Sequence, residues 1–196
     1  MAQANAVFLS VLAGAALLVG LAPGCNNNNT PPASVVLAWT VQPGSHSGMC
    51  GAVNDTITIG DDTTDPIQTV ANGSTFKGVP VSVNCDVAPN SGGYYVSANV
   101  VYGGSGQLTI KGQINVAQGA NPMTQTGITG TFSDHVPGGL IANLTDTNCT
   151  VTFTKRAQMG IGATKIWGVI DCPNAAATNG TICDGNAEFL FEYCGQ

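Results

Sequence analysis

Apolar and polar side chains alternate one by one along several separate segments of this chain. The clearest runs are 79–87, 108–116, 149–153 and 187–193, where every second residue is mostly Val, Ile, Phe or Cys. A β-strand points successive side chains to opposite faces, so each run predicts a strand with one buried face and one wet face.

Five further segments are also rich in strand-forming residues, at 34–41, 56–59, 94–102, 127–132 and 165–170. Clusters of Gly, Pro and Asn separate them, and these residues favour turns. Charged residues make up only 8% of the protein, and Gly, Thr, Asn and Ser take their place, which suits strands better than helices. The prediction is a single all-β domain, an antiparallel β-sandwich or barrel of about nine strands.

The last strand illustrates the pattern, with Ala187, Phe189, Phe191 and Tyr193 predicted on its buried face. The only two glutamates, at positions 188 and 192, then share the opposite face. A retaining or inverting glycosidase needs two facing carboxylates, but positions four apart on a strand are separated by about 13 Å. These glutamates are therefore predicted to form a solvated strand face.

An uncharged apolar stretch, residues 6–22, precedes this β-rich region and ends in the sequence LAPGC. A transmembrane helix needs about 20 apolar residues. This stretch is therefore short for a membrane span and better sized as the core of a signal peptide. Gly24 followed by Cys25 resembles the lipobox of bacterial lipoproteins. The resemblance implies that residues 1–24 are a cleaved signal peptide and that Cys25 is diacylated, becomes the mature N-terminus and anchors the protein to a membrane.

The flanks of the lipobox-like sequence carry further expectations. Residues 25–33 are rich in Asn and Pro, which predicts a flexible tether before a domain at 34–196. The resemblance to bacterial lipoproteins also implies the outer membrane or cell surface over the inner membrane, because Asn26 stands where an aspartate would signal inner-membrane retention in that family. Residues 1–5 lack Lys and Arg, so either translation starts upstream or the α-amino group supplies the positive charge. An uncleaved anchor helix is the alternative.

The protein has seven cysteines, and assigning Cys25 to the lipid leaves an even number. An exported protein with six further cysteines predicts three disulfides. The sequence contains no C-x-x-C pair, so the cysteines do not indicate a zinc site. The sequence does not choose among the possible pairings; we expect Cys172 with Cys183, Cys149 with Cys194, and Cys50 with Cys85. The six residues are Cys50, Cys85, Cys149, Cys172, Cys183 and Cys194.

Charge excludes one class of partner. The net charge is −6, and only five Lys and Arg residues are spread along the sequence. A nucleic-acid interface needs a basic patch to neutralise phosphates, so we expect no nucleic-acid binding.

Acidic residues concentrate in the segment 55–65, which has four aspartates. Clustered carboxylates are the oxygen ligands that Ca²⁺ prefers, although this spacing is not that of an EF-hand. The sequence allows a calcium site or an ordinary acidic loop here, and Asp171 with Asp184 are a weaker pair of the same kind. The four candidate ligands are Asp55, Asp61, Asp62 and Asp65.

Catalytic and binding candidates are few. A hydrolase would need His46 or His135 to meet a Ser and an acid brought from other segments. Aromatic side chains on a β-sandwich could instead form a platform for a carbohydrate or an envelope polymer. The candidate platform residues are Trp39, Trp167, Tyr94, Tyr95 and Tyr102.

The resemblance to lipoproteins implies an envelope lipoprotein, and the alternating pattern without a catalytic set predicts that its β domain has a non-catalytic binding or structural role. Its expected partners are the membrane, through Cys25, and an envelope polymer or carbohydrate. A secreted hydrolase or a calcium-stabilised adhesion module is the alternative.

Overall fold

A computed structural model describes residues 30–44, 50, 55–104, 106–116, 124–136 and 140–195. Within these ranges the regular structure consists of β-strands, as the alternation predicts. The strands are β1 (Ser34–Gln42), β2 (Asp55–Ile59), β3 (Val70–Ala71), β4 (Thr75–Phe76), β5 (Val79–Asn90), β6 (Gly93–Tyr102), β7 (Gly106–Asn115), β8 (Thr124–Val136), β9 (Leu140–Thr152), β10 (Gly160–Gly162), β11 (Lys165–Ala176) and β12 (Ile182–Glu192).

All nine predicted strands are present. The structure has three further strands that the sequence did not indicate, β3, β4 and β10. These three are only two or three residues long, too short to show an alternating pattern. The prediction of an all-β antiparallel domain is therefore confirmed.

Eight long strands form one antiparallel sheet in the order β1-β12-β11-β9-β8-β7-β6-β5. From β5 to β9 each strand pairs with the next one in the sequence, and β11 and β12 form a further hairpin. The first strand, β1, then pairs with the last strand, β12. The first and last strands therefore meet inside the sheet.

A short segment between β3 and β5 joins the two edges of this sheet. On one side β3 pairs with Ser34 and Val35 of β1. On the other side, the Gly73 amide donates to the Val81 carbonyl at 2.9 Å, and the Val81 amide donates to the Ser74 carbonyl at 2.8 Å. The sheet is therefore nearly closed and barrel-like, and residues 70–74 form its seam.

Large side chains fill the interior of the barrel where glycines face them. A Cβ atom added to Gly185 would lie 2.5 Å from the Phe132 ring, and one added to Gly106 would lie 2.6 Å from Trp39. Phe132 and Trp39 are both fully buried. An eight-stranded barrel is just wide enough for its own side chains, so this interior is a packed core.

Three disulfides cross-link the barrel, and each of the six expected cysteines takes part. The bridges are Cys50–Cys183, Cys85–Cys194 and Cys149–Cys172. Three disulfides are consistent with an extracytoplasmic protein.

The pairing that we expected from the sequence is wrong, and strand register explains why. Cys172 lies opposite Gly185, and Cys183 lies opposite Ala175, so these two cysteines are out of register on their paired strands. The pairing of β9 with β11 places Thr150 opposite Asp171. It therefore brings the neighbouring Cys149 and Cys172 together.

The end of β12 also departs from the prediction. The strand ends at Glu192, and Tyr193 has a positive φ of 58° and an exposed side chain instead of a place on the buried face. This bend ends the extended alternation. It turns the backbone so that Cys194 reaches Cys85, and the Gly195 amide donates to the Cys85 carbonyl at 2.8 Å.

Candidate functional site

Charged side chains gather around one cleft on the outer face of β11 and β12. This cleft has a volume of about 540 Å³. Three of the five basic residues of the protein and both glutamates lie in or beside it. We call it the charged cleft and define it by six lining residues: Asp62, Asp65, Arg156, Lys165, Trp167 and Glu192.

Arg156 is the centre of the ion pairs at one side of the cleft. Its guanidinium pairs with the Asp62 carboxylate and donates to the Asp62 carbonyl at 3.2 Å. Its Nε lies 2.8 Å from Oε1 of Glu188 on β12, and Lys155 pairs with the same carboxylate. Arg156 therefore ties the loop after β2 and the loop after β9 to the outer face of the barrel.

Trp167 forms the floor of the cleft. It lies on the outer face of β11, opposite Leu190 of β12, yet only 4% of it is exposed. The Arg156 guanidinium lies over its ring, 5.8 Å from the centroid. A cation over an indole face is attracted by the ring quadrupole, so Arg156 covers the tryptophan and holds the two loops over an apolar surface.

Glu188 is largely shielded from solvent, with 12% of its side chain exposed. Burial acts to raise the pKa of its carboxyl, but the hydrogen bond and charge of Lys155, together with Arg156, outweigh burial and lower the pKa. A general acid needs a raised pKa to hold its proton near neutral pH. Glu188 is therefore an ionised anchor for the two cations. The prediction of a solvated face is wrong for this glutamate.

The opposite rim of the cleft is more open. Lys165 Nζ lies 2.8 Å from Glu192 Oε1, and their side chains are 47% and 24% exposed. Asp65, also exposed, lies on the same cleft. Exposed ion pairs are weak and exchange readily with other partners. This rim can therefore offer charges of both signs to a ligand that lies beside the covered Trp167.

The five aromatic residues predicted to form a binding platform are not brought together. Trp39 is buried in the barrel interior, and Trp167 is covered on the outer face. Tyr94 and Tyr102 are half-buried near opposite ends of β6. Tyr95, at 38% exposure, is the member of this set that presents a substantial aromatic surface.

The aspartates of the 55–65 segment face different partners. Oδ1 of Asp61 accepts hydrogen bonds from the amide and the hydroxyl of Thr63, at 2.8 and 2.6 Å, and these bonds lower the pKa of the Asp61 carboxyl. Asp62 pairs with Arg156, and Asp65 lies on the charged cleft. In the described part of the protein, no three His, Cys, Asp or Glu side chains are grouped to hold a metal ion.

The weaker pair of candidate ligands, Asp171 and Asp184, also lies on described strands. Asp171 is exposed on β11, opposite Asn186. Asp184 lies beside Gly44, where the carboxylate fills the space that a Cβ atom would need.

Several sequence-predicted residues fall outside the description. His46, Cys25 and the apolar stretch 6–22 lie outside the described residues. His135 lies on β8 opposite Ile141, and its side chain is outside what is described, as is that of Asp55. The hydrolase and lipid-anchor predictions stay predictions.

The charged cleft itself was missed by sequence reasoning. The available indication was the presence of both glutamates and Lys165 on outward-facing positions of adjacent strands, in a protein with few charges. The partners Asp62 and Arg156 are 94 residues apart. A sequence pattern within one segment cannot predict a contact between two loops so far apart in the sequence.

Compared with known proteins, this protein matches no family model, no curated protein and no solved structure. Among the residues described, none belongs to a helix with the length and hydropathy that crossing a bilayer requires.

Proposed function

We propose that this protein is a lipid-anchored lipoprotein of the cell envelope whose β domain acts without catalysis, as a binding module. The observation that carries the proposal is the cysteine arrangement. All six cysteines after Cys25 pair in three disulfides, a set that is complete without Cys25. The lipobox-like sequence then assigns the seventh thiol to a diacylglyceryl group, on the outer membrane or cell surface.

The domain suits a rigid binding role because its interior is filled and its charge is concentrated outside. Arg156 fixes two loops against the barrel, so the wall of the charged cleft is preorganised. Preorganised surfaces lose less conformational entropy on binding. The exposed Lys165 and the partly buried Glu192, next to Trp167, are the groups we assign to an envelope polymer or carbohydrate.

Intact mass spectrometry of the membrane fraction from the native host tests the anchor. The expected species begins at Cys25, carries the acyl groups, and gains six hydrogens on reduction because three bridges open. A species that retains residues 1–24, or one with an unacylated Cys25, would remove the lipid anchor from the proposal.

Co-sedimentation with purified peptidoglycan sacculi tests the binding role. Replacing Lys165 by Ala should reduce the bound fraction, because this exposed side chain lies on the rim of the cleft. Lys111→Ala is the matched control, since Lys111 is an exposed lysine on β7, away from the cleft. Equal binding by both variants, or no binding by the wild-type protein, would count against the cleft as a polymer site.

A further inference from the structure

The sequence has two Asn-Gly pairs, Asn72-Gly73 and Asn179-Gly180. In such a pair the backbone nitrogen of the glycine can attack Cγ of the asparagine. A new bond from that nitrogen to Cγ closes a succinimide ring, the bond from Cγ to Nδ2 breaks, and ammonia leaves. Water opens the ring to aspartate or isoaspartate. Glycine favours this reaction because it has no Cβ to hinder the approach.

The first pair is locked into the seam of the barrel. The Asn72 amide donates to the Ala33 carbonyl at 2.7 Å, and Oδ1 of Asn72 accepts the Val83 amide at 2.9 Å. The Gly73 amide, which would be the nucleophile, donates to the Val81 carbonyl at 2.9 Å. Ring closure here would break the bond from the Gly73 amide to Val81 and the bond from the Val83 amide to Oδ1, and both of these bonds hold the seam to β5.

The second pair lies at the exposed tip of the β11–β12 hairpin, and its hydrogen bonds stay within the tip. The Gly180 amide donates to the Ala177 carbonyl at 3.0 Å, and the Thr181 amide donates to Oδ1 of Asn179 at 3.0 Å. A Cβ atom placed on Gly180 would meet nothing within 4 Å. Opening this tip leaves the sheet intact and costs less than opening a seam.

The Thr181 amide also assists the reaction directly. When the Gly180 nitrogen attacks Cγ of Asn179, negative charge develops on Oδ1. A donor already directed at that oxygen stabilises the developing charge. The Val83 amide is placed to do the same for Oδ1 of Asn72, so this contact favours the reaction without distinguishing the two sites. The Thr181 contact also holds the Asn179 carboxamide near the backbone that follows it.

We propose that Asn179 is a site of spontaneous succinimide formation in the folded protein and that Asn72 is protected. The products carry one additional negative charge at the hairpin tip, and isoaspartate also adds a methylene to the backbone. The inference does not depend on the proposed function.

Incubation of the mature, disulfide-intact protein in mildly alkaline buffer made with ¹⁸O-water tests the proposal. Peptide mapping should show label entering Asn179 at least about tenfold faster than Asn72, because only the tip opens locally. The Gly180→Ala variant should react more slowly at Asn179, since the new Cβ hinders the attack.

The reduced and denatured protein is the control, and both sites should react there at similar rates. Equal labelling of the two sites in the folded protein would overturn the proposal. The proposal would also be overturned if Asn179 stayed unlabelled in the folded protein while both sites reacted in the denatured control.

Discussion

At the scale of single residues, Glu188 is a charged side chain that is both paired with two cations and largely buried. Alternation placed it on the outer face of β12, and the structure agrees. The two loops that carry Lys155, Arg156 and Asp62 then fold over that face. The glutamate is therefore shielded by side chains from distant loops, and the alternation along a single strand does not indicate such contacts.

Replacing Glu188 by Gln should destabilise the protein most at neutral pH. The loss should be about 1–2 kcal/mol, the value of charge-assisted hydrogen bonds reduced by solvent screening at the exposed Lys155. The folded-state pKa of Glu188 lies below its ordinary value of 4.5, so its contribution is present above that value. It is lost as the pH falls through the folded-state pKa.

Urea unfolding across a pH series measures this difference. The free energies of unfolding of wild type and E188Q should converge as the solution becomes acidic. Glu192→Gln is the matched control, because Glu192 pairs with the exposed Lys165, and its effect should be smaller. A difference that stays constant with pH would show that Glu188 acts through packing instead of charge.

Replacing Arg156 by Gln should expose Trp167. The variant loses the cation over the indole and the ion pairs to Asp62 and Glu188, at a cost of about 1–3 kcal/mol. Tryptophan fluorescence should shift to longer wavelength in the native state. Lys155→Gln, which changes a side chain that is 58% exposed, should leave the emission near that of wild type.

Metal removal should leave the melting temperature unchanged. Thr63 already satisfies Oδ1 of Asp61, and Arg156 pairs with Asp62, so these carboxylates are engaged without a cation. Thermal unfolding followed by circular dichroism, with EDTA and with added Ca²⁺, measures this. A rise in melting temperature with Ca²⁺ that EDTA reverses would restore the calcium interpretation.

At the scale of elements, strand register decides which cysteines meet. Cys149 and Cys172 lie on adjacent, hydrogen-bonded strands and close a loop of 23 residues. Cys85 and Cys194 join β5 to the segment after β12 and close a loop of 109 residues. The second bridge therefore restricts the unfolded state more.

Removing Cys85–Cys194 as a double alanine variant should cost more stability than removing Cys149–Cys172. Loop-closure entropy predicts losses of about 5 and about 3 kcal/mol. All four cysteines are buried, so the two variants are matched in chemistry. Chemical denaturation of both compares them, and an equal or reversed order would mean that native-state packing outweighs loop length.

At the scale of the whole molecule, a few backbone bonds in residues 70–74 close the barrel. Asn72 contributes twice, through its own amide and through Oδ1. This nearly closed sheet covers parts of β1 and β5 that would otherwise be free to pair with other molecules.

Replacing Asn72 by Ala should lower the melting temperature by several degrees. The Val83 amide loses its acceptor, at about 1–3 kcal/mol if it stays unsatisfied, and each kcal/mol is worth about 2–4 °C in a domain of this size. Differential scanning calorimetry gives the value. Asn84→Ala, at an exposed position on β5, should change it little.

The sequence alone determined the strands, because the two-residue period of apolar side chains is a local property that each segment carries. It indicated nine strands from 34–41 to 187–193, and it identified the six cysteines that form bridges. Only the tertiary structure decided which cysteines pair, because pairing depends on register between strands such as β9 and β11. The tertiary structure also decided the charged cleft, since Asp62 and Arg156 meet only after distant loops fold onto one face of the barrel.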